Sequence, residues 1–376
     1  MGTRFGFVST FPPTQCGLAT FTAALREALL RSATDEGRVV RLVDAPAARP
    51  GEEVVAQLIA GDAASLQHAA AQLNLCDVAI VQHEYGVYGG ADGSEILHLL
   101  DLVRVPCIVI LHTVLSYPTA HQRQVLESVI ARASAVVTMT RAAQERLAAG
   151  YAADMSKVCI IAHGAPVLQT TMAEPTFRSG QFTVLTWGLL GPGKGVEWGI
   201  EAMALLRDLQ PMPRYMIAGQ THPKVLLREG EAYRDGLREQ VRRAGLDFCI
   251  SFDAGYRNAG ALASLVRSAD VVLLPYDSTD QVTSGVLIEA VAAGKPVVAT
   301  QFPHAQELLA AGAGLLVPHR DAVAIATALR AVITRGGVMT RMAAAATASA
   351  PQLLWPAIAD QYRELADRLI TASVAA

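Results

Sequence analysis

The sequence predicts an α/β protein of two domains, each built on a parallel sheet. Three observations carry this. The chain has 376 residues, more than one hydrophobic core ordinarily supports, so two domains of roughly 150 to 200 residues are expected. Hydrophobic residues make up 52% of it and charged residues 17%, a composition suited to sheets covered by helices on both faces. Short β-branched runs alternate with longer helical segments, which is the order of βαβ units.

The first series of strand-like runs is Phe5 to Ser9, Val39 to Val43, Val78 to Gln82, Cys107 to His112, Ala135 to Met139 and Val158 to Ala162. The segment Pro166 to Gly180 has two prolines, several threonines and no clear period, and reads as a linker. A boundary near residue 172 gives an N-terminal domain over 1–171 and a C-terminal domain over 172–355. The second series is Thr183 to Thr186, Tyr215 to Ala218, Cys249 to Phe252, Val271 to Leu274, Pro296 to Thr300 and Gly314 to Val317. Beyond Ala322 the chain is helical, and its alanine-rich stretch from Ala343 to Ala350 is simply good helix former. The last helix, Ala357 to Ile370 within residues 356–376, is expected to return to the first domain. Two Rossmann-like halves of similar size amount to a repeat at the level of architecture. Ligands of such sheets bind beyond the carboxyl ends of the strands, so the site is expected in a cleft that the two sheets face.

Charge and cysteine content exclude other classes. A formal net charge of −3 argues against a broad nucleic-acid surface, which needs a clustered basic excess. The cysteines Cys16, Cys76, Cys107, Cys159 and Cys249 form no C-x-x-C pair, so neither a zinc site nor a disulfide framework is indicated, and a reducing cytoplasm is the simplest setting. The N-terminus RFGFVSTFPP is too short and too soon broken by proline for a signal peptide's apolar core. No apolar run approaches the ~18 residues of a membrane span; nothing in the sequence supports attachment to a membrane surface.

Three loops that follow strands carry the chemistry. Asp277 to Leu308 places one carboxylate, Glu289, in an otherwise apolar helix. A carboxylate there is costly unless something hydrogen-bonds it, and a sugar hydroxyl pair would suit it. Thr283, Ser284 and Gly285 open that helix, so its free N–H groups and positive dipole end suit an anion. The bland reading is an interior glutamate in a structural ion pair. In Trp187 to Gly195, four glycines surround Lys194. A lysine there can neutralise a diphosphate while glycine backbone lets the phosphates approach; the bland reading is a solvated lysine in a turn. The loop is not a Walker A loop, which would need Ser or Thr at Gly195. In Thr10 to Phe21, Gly17 permits close backbone approach ahead of a helix, or simply makes a tight turn. His83, His112, His163, His222 and His304 all sit at strand ends, as a polyhydroxylated ligand would require, with His112 the first choice among them.

These residues resemble retaining glycosyltransferases of family 4, which have the GT-B architecture. QVTSGVLIEAVAAGKPVV is similar to the family's signature of two glutamates eight positions apart followed by G-x-P-V-V, and Glu289 matches the second glutamate. GLLGPGKG is similar to G-R-L-x-x-x-K-G, with Lys194 at the diphosphate lysine. The resemblance implies a metal-independent hexosyltransferase, with no D-x-D motif and no cofactor, that takes a nucleotide diphosphate sugar as co-substrate and a saccharide, glycoside or lipid-linked acceptor. It implies donor contacts from Gly17, Gly188, Lys194, Ser284, Gly285, Val286, Glu289 and His304. His112 would contact the donor hexose, and Gln15, His83, Glu84 and Tyr85 would lie on the acceptor side. Two positions depart from the pattern: Gln281 stands where the first glutamate is usual and Leu189 where an arginine is usual. Gln281 hydrogen-bonds but cannot serve as a carboxylate nucleophile, which favours a front-face mechanism over double displacement. The rival readings are a GT-B nucleotide-sugar binder that has lost turnover, and a GT-B epimerase or phosphorylase.

Overall fold

A computed structural model of the chain describes residues 2–48, 51–167, 180–255, 257 and 259–375. It has two units. One comprises Met1–Gly164 together with Trp355–Ala376, the other Ala165–Leu354. The boundary expected between residues 171 and 172 lies outside the described residues.

Unit 1 holds strands β1 (Arg4–Ser9), β2 (Glu36–Val43), β3 (Val54–Ile59), β4 (Val78–His83), β5 (Cys107–Leu111), β6 (Ala135–Thr138) and β7 (Val158–Ile160). They form one sheet in the order β3-β2-β1-β4-β5-β6-β7, with every pairing parallel. Every residue of β4 and β5 is buried. That explains why their sequences read as continuous apolar runs rather than alternating ones: a parallel sheet carries helices on both faces. β3 is not among the strand runs expected from the sequence. Its run VVAQLI alternates buried and half-buried residues and merges with the apolar positions of the helix Ala63–Leu73 that follows, so pattern alone does not separate the two. β2 begins at Glu36, ahead of the expected Val39, because its first residues pair with β1.

The helix Trp355–Ala375 belongs to unit 1. Ile358, Ala359, Tyr362, Leu365 and Ala366 pack in one core with Phe21, Leu25 and Leu29 of the helix Gly17–Leu29 and with Phe5 and Phe7 of β1. The spacing of those five residues is that of one helical face. Burying Phe21 almost fully is worth on the order of 1.5–3 kcal/mol.

Unit 2 holds β8 (Thr183–Trp187), β9 (Arg214–Ala218), β10 (Ile250–Asp253), β11 (Val271–Leu274), β12 (Val297–Thr300) and β13 (Gly314–Val317). The order is β10-β9-β8-β11-β12-β13, again wholly parallel. The strand order reverses direction between β8 and β11. The loops leaving the carboxyl ends of those two strands therefore diverge around a crevice, the usual ligand position in an open α/β sheet. Among the described residues no single helix is long and apolar enough to cross a membrane.

Candidate functional site

The site in unit 2 begins where β8 ends. Trp187 is the last strand residue, and Gly188 follows with φ +122°. Gly188 lies against the next element of the site: a Cβ there would sit 3.4 Å from a methyl of Val286. The loop then turns at Gly193 (φ +92°) and enters the helix Val196–Ala204 through Gly195, whose φ is +61°. A Cβ on Gly195 would fall 1.9 Å from the carbonyl oxygen of Pro275. Only glycine meets both demands, and the close approach locks the Lys194 loop to the loop after β11. The Asp277 N–H donates to the Gly193 carbonyl at 3.2 Å and strengthens the same junction.

Lys194 is half-buried, and its Nζ lies 4.2 Å from the centroid of the Tyr276 ring. Tyr276 is itself stacked on Phe302, ring centroids 5.1 Å apart. The ammonium is thus held by a cation–π contact rather than by a carboxylate, so its charge is not neutralised by that partner.

The helix Gly285–Ala292 supplies the rest. Its N-cap Ser284 accepts the Leu287 N–H on Oγ, at 3.3 Å. The Ser284 N–H, expected to face an anion, instead donates to Nδ1 of the buried His304 at 2.8 Å. Ser284 and His304 therefore shape the helix entrance, and that amide is spent within the protein. Gly285 and Val286, the first two helical residues, keep N–H groups with no acceptor inside the helix. Gln281 lies just ahead of them and is half-buried; its Nε2 donates to the Thr283 carbonyl at 2.7 Å. Only its Oε1 end is left to accept from a ligand.

Glu289 is one turn into this helix, partly accessible although its helical neighbours Leu287, Ile288, Ala290 and Val291 are buried. Its Oε2 accepts from Trp187 Nε1 at 3.3 Å. Desolvation pushes its carboxyl up from 4.5 to about 7, and the Trp187 hydrogen bond only partly offsets this. Among the described residues no cation answers it in an ion pair, and desolvation and Trp187 are the influences on its carboxyl. The sign of the pH effect follows. Between 4.5 and about 7 the native state holds this proton more tightly than the unfolded chain does, so the stability it contributes at low pH is lost as pH rises through about 7. A ligand diol that donates to the carboxylate reverses the preference. Nucleotide affinity is therefore expected to rise from pH 6 to pH 8 and then level off. Glu289→Gln should abolish that slope and, at pH 8, weaken binding by about 10- to 100-fold, as loss of a hydrogen bond to a charged group implies. Titration calorimetry across that range checks both; a pH-independent wild type would remove Glu289 from the site.

In unit 1, β4 and β5 end in a polar cluster. His112 Nε2 is 2.6 Å from Gln82 Oε1, so the ring donates there and presents Nδ1 as an acceptor. Burial, with His163 and His83 nearby, lowers His112 to about 3; burial alone lowers His83 to about 4, and burial dominates the fall of His163 to about 4. All three are neutral at pH 7, so they serve as hydrogen-bonding groups rather than proton shuttles. His112, His163 and Trp355 each meet the Phe21 ring edge-on, with centroids 5.0, 4.9 and 5.0 Å away. Glu84 accepts from Thr113 Oγ1 at 2.6 Å and from the Tyr85 N–H at 3.1 Å, while the Tyr85 ring meets His83 edge-on. Gln15 and Gly17 are exposed, and a Cβ on Gly17 would meet nothing within 4 Å. That open space is room for a ligand, and Gly17 is not required by any contact within the protein.

The other two histidines each accept a backbone N–H. His222 caps the helix Pro223–Glu229 by accepting the Lys224 N–H on Nδ1, and His304 is the support described above. Sequence reasoning also passes over Tyr276, Trp187 and Gln82. Trp187 carried a signal, since an indole donor at the end of an apolar strand needs an acceptor. Tyr276 carried none that separates it from a core aromatic.

Two Rossmann-like units, each on an all-parallel sheet, are the architecture of the GT-B class. Solved structures agree: Anabaena HepE in complex with UDP and glucose superposes with TM-score 0.76 at 19% identity, covering 97% of this chain and 100% of that one. Sucrose-phosphate synthase from Thermosynechococcus elongatus gives TM-score 0.76 at 18% identity, over 98% of this chain and 100% of that one. Residues 181–335 match the family described as Glycosyl transferases group 1. Curated relatives include D-inositol 3-phosphate glycosyltransferase of Arthrobacter sp. (strain FB24), 28% identical over 253 residues, 63% of this chain and 57% of that protein. Phosphatidyl-myo-inositol mannosyltransferase of Mycobacterium leprae is 33% identical over 147 residues, 39% of this chain and 38% of that protein. The matched stretches thus span between about two fifths and three fifths of these two relatives.

Proposed function

We propose that this chain is a glycosyltransferase that moves a hexose from a nucleotide diphosphate sugar to an acceptor hydroxyl, with retention of configuration and without a metal. The observation that carries the reading is Glu289, a partly accessible carboxylate with no cationic partner in a described ion pair and a carboxyl pushed up to about 7. A ribose diol supplies what that group lacks. Lys194 and the Gly285 and Val286 amides neutralise the diphosphate, and Gln281 accepts from the sugar through Oε1. His112 keeps the role the resemblance gives it, a neutral contact to the hexose. The acceptor is a saccharide, a glycoside or a lipid-linked molecule, and the setting is cytoplasmic. The relatives that act on inositol phosphates or phosphatidylinositol, and the UDP complexes of HepE, support a nucleotide-sugar donor and an acceptor of this kind.

A thermal-shift screen of nucleotide diphosphate sugars, followed by nucleotide release with acceptor and EDTA present, tests this. Stabilisation by one donor and acceptor-dependent release are expected. Binding without release would favour the binder that has lost turnover; donor conversion without acceptor would favour an epimerase.

Gln281 has its own test. Gln281→Ala removes both its bond to Thr283 and its free acceptor, and Gln281→Glu sets a carboxylate against the Thr283 carbonyl. Each loses a hydrogen bond worth about 0.5–1.5 kcal/mol, so donor KM is expected to rise by roughly 2- to 12-fold in both. Unchanged KM in Gln281→Ala would take the residue out of the site.

A further inference from the structure

Trp187 closes β8, in register with Ala218 of β9, and is only 6% exposed. It packs in one core with Leu287, Ile288 and Val291 of the helix that carries Glu289. Gly188, immediately after it, lies against Val286 of the same helix, so the strand end and the helix start are held together. The ring is thus fixed by its surroundings. An indole has one donor and no acceptor, and when buried it needs an acceptor within the protein. Here that acceptor is Glu289 Oε2, at 3.3 Å.

The consequence falls on the carboxylate. A glutamate side chain samples several rotamers, and fixing it for a ligand costs entropy. A donor at a fixed point selects the rotamers that set Oε2 against it, and a hydrogen bond to an ionised group is roughly twice as strong as a neutral one. Oε1 is then the oxygen left for a ligand, since among the described residues it has no hydrogen-bond partner. Packing alone does not call for tryptophan here, because phenylalanine fills an apolar core without a donor to satisfy. Neighbouring charges do not share the task. Burial and this indole are the influences on the Glu289 carboxyl. Lys194 lies over the Tyr276 ring, and Lys295 Nζ donates to the carbonyls of Arg267 and Ala269.

We propose that Trp187 is a positioning residue for the nucleotide: its indole N–H fixes one carboxylate oxygen of Glu289 and so presents the other to a ribose hydroxyl. The contact stands on unit 2 alone; naming ribose as the group presented to rests on the glycosyl-transfer reading.

Two measurements on the full chain test it. The first follows the indole N–H resonances by NMR without ligand. The chain has three tryptophans, and the Trp187 signal is the one lost in Trp187→Phe. It is expected to shift with a midpoint of about 7 as Glu289 ionises, and to stay in place in Glu289→Gln. The second is calorimetry with UDP and GDP and with their 2′,3′-dideoxy forms. At pH 8 Trp187→Phe should weaken the ribonucleotide by roughly 2- to 12-fold and leave the dideoxy form nearly unchanged. The plateau of ribonucleotide affinity should also move to higher pH, because the lost bond favoured the ionised carboxylate. A tryptophan that only fills the core would weaken both forms alike at every pH. That result overturns the proposal, as does equal ribonucleotide affinity in Trp187→Phe and wild type. Should Trp187→Phe fail to fold, Trp198→Phe and Trp355→Phe assign the signal by elimination, and a Trp187 resonance that ignores pH overturns the proposal as well. If neither UDP nor GDP binds wild type, the glycosyl-transfer reading falls and the ribose with it, while the indole titration still decides whether Trp187 fixes the carboxylate.

Discussion

Lys194→Ala is expected to lower kcat by about 10²- to 10³-fold, equivalent to about 2.7–4 kcal/mol of transition-state stabilisation, while moving donor KM little. The loop offers few cations. Leu189 occupies the position at which the resembling family has an arginine, so a diphosphate leaving group meets one side-chain cation from this loop. The ammonium is positioned over the Tyr276 ring, 4.2 Å from its centroid, with no carboxylate described against it. Negative charge grows on the diphosphate as the glycosidic bond breaks, so the contact strengthens in the transition state, and the loss appears in kcat. A structural role predicts something else. A cation–π pair at a half-exposed site is worth only about 0.5–1 kcal/mol, and its loss would lower stability and leave turnover intact. Steady-state nucleotide release, measured beside thermal melting, separates the two. Full turnover in a slightly destabilised variant would remove Lys194 from catalysis.

Gly195→Ala is expected to destabilise unit 2 by roughly 2–5 kcal/mol. The left-handed φ costs a non-glycine residue about 1–2 kcal/mol, and overpacking adds about 1–3 kcal/mol. Relief is hard to find, because the atom met at 1.9 Å is a backbone oxygen, that of Pro275. The two loops must part, and Asp277, whose N–H donates to Gly193, moves with them. At about 2–4 °C per kcal/mol for a unit of this size, Tm should fall by roughly 4 to 20 °C. Donor binding should weaken as well, since the substitution displaces the residue next to Lys194. Gly17→Ala is the contrast: nothing lies within 4 Å of its Cβ position, so the same change there should leave Tm nearly unmoved. Melting curves of both variants, with and without nucleotide, check the pair. A Gly195→Ala protein with wild-type Tm would show that the loops are not locked at this point.

Most of the fold was legible because parallel strands buried on both faces announce themselves as apolar runs. β4 and β11 are almost pure Val, Ile, Leu and Ala up to the polar pair that closes β4. β3 was not legible, since an edge strand with half-buried positions carries the same residues as the helix after it. At the site, Glu289 and Lys194 stood out as charges in surroundings that do not ordinarily hold them. Their partners Trp187 and Tyr276 did not, because an aromatic residue in an apolar strand or next to one reads as core. The histidines divided in a way spacing does not show: His222 and His304 accept backbone N–H groups, whereas His83, His112 and His163 lie in one neutral, largely desolvated cluster.

Residue order alone established two parallel α/β halves, the glycine–lysine loop, and a helix carboxylate suited to a diol. These are local matters of period, turn chemistry and charge in apolar surroundings. Which amides remain free and which way Gln281 presents its amide emerge only in three dimensions. Hydrogen-bond ownership and desolvation depend on residues far apart in the chain, as with Trp187 and Glu289 or Ser284 and His304. No periodicity along a sequence encodes which neighbour will claim a given lone pair.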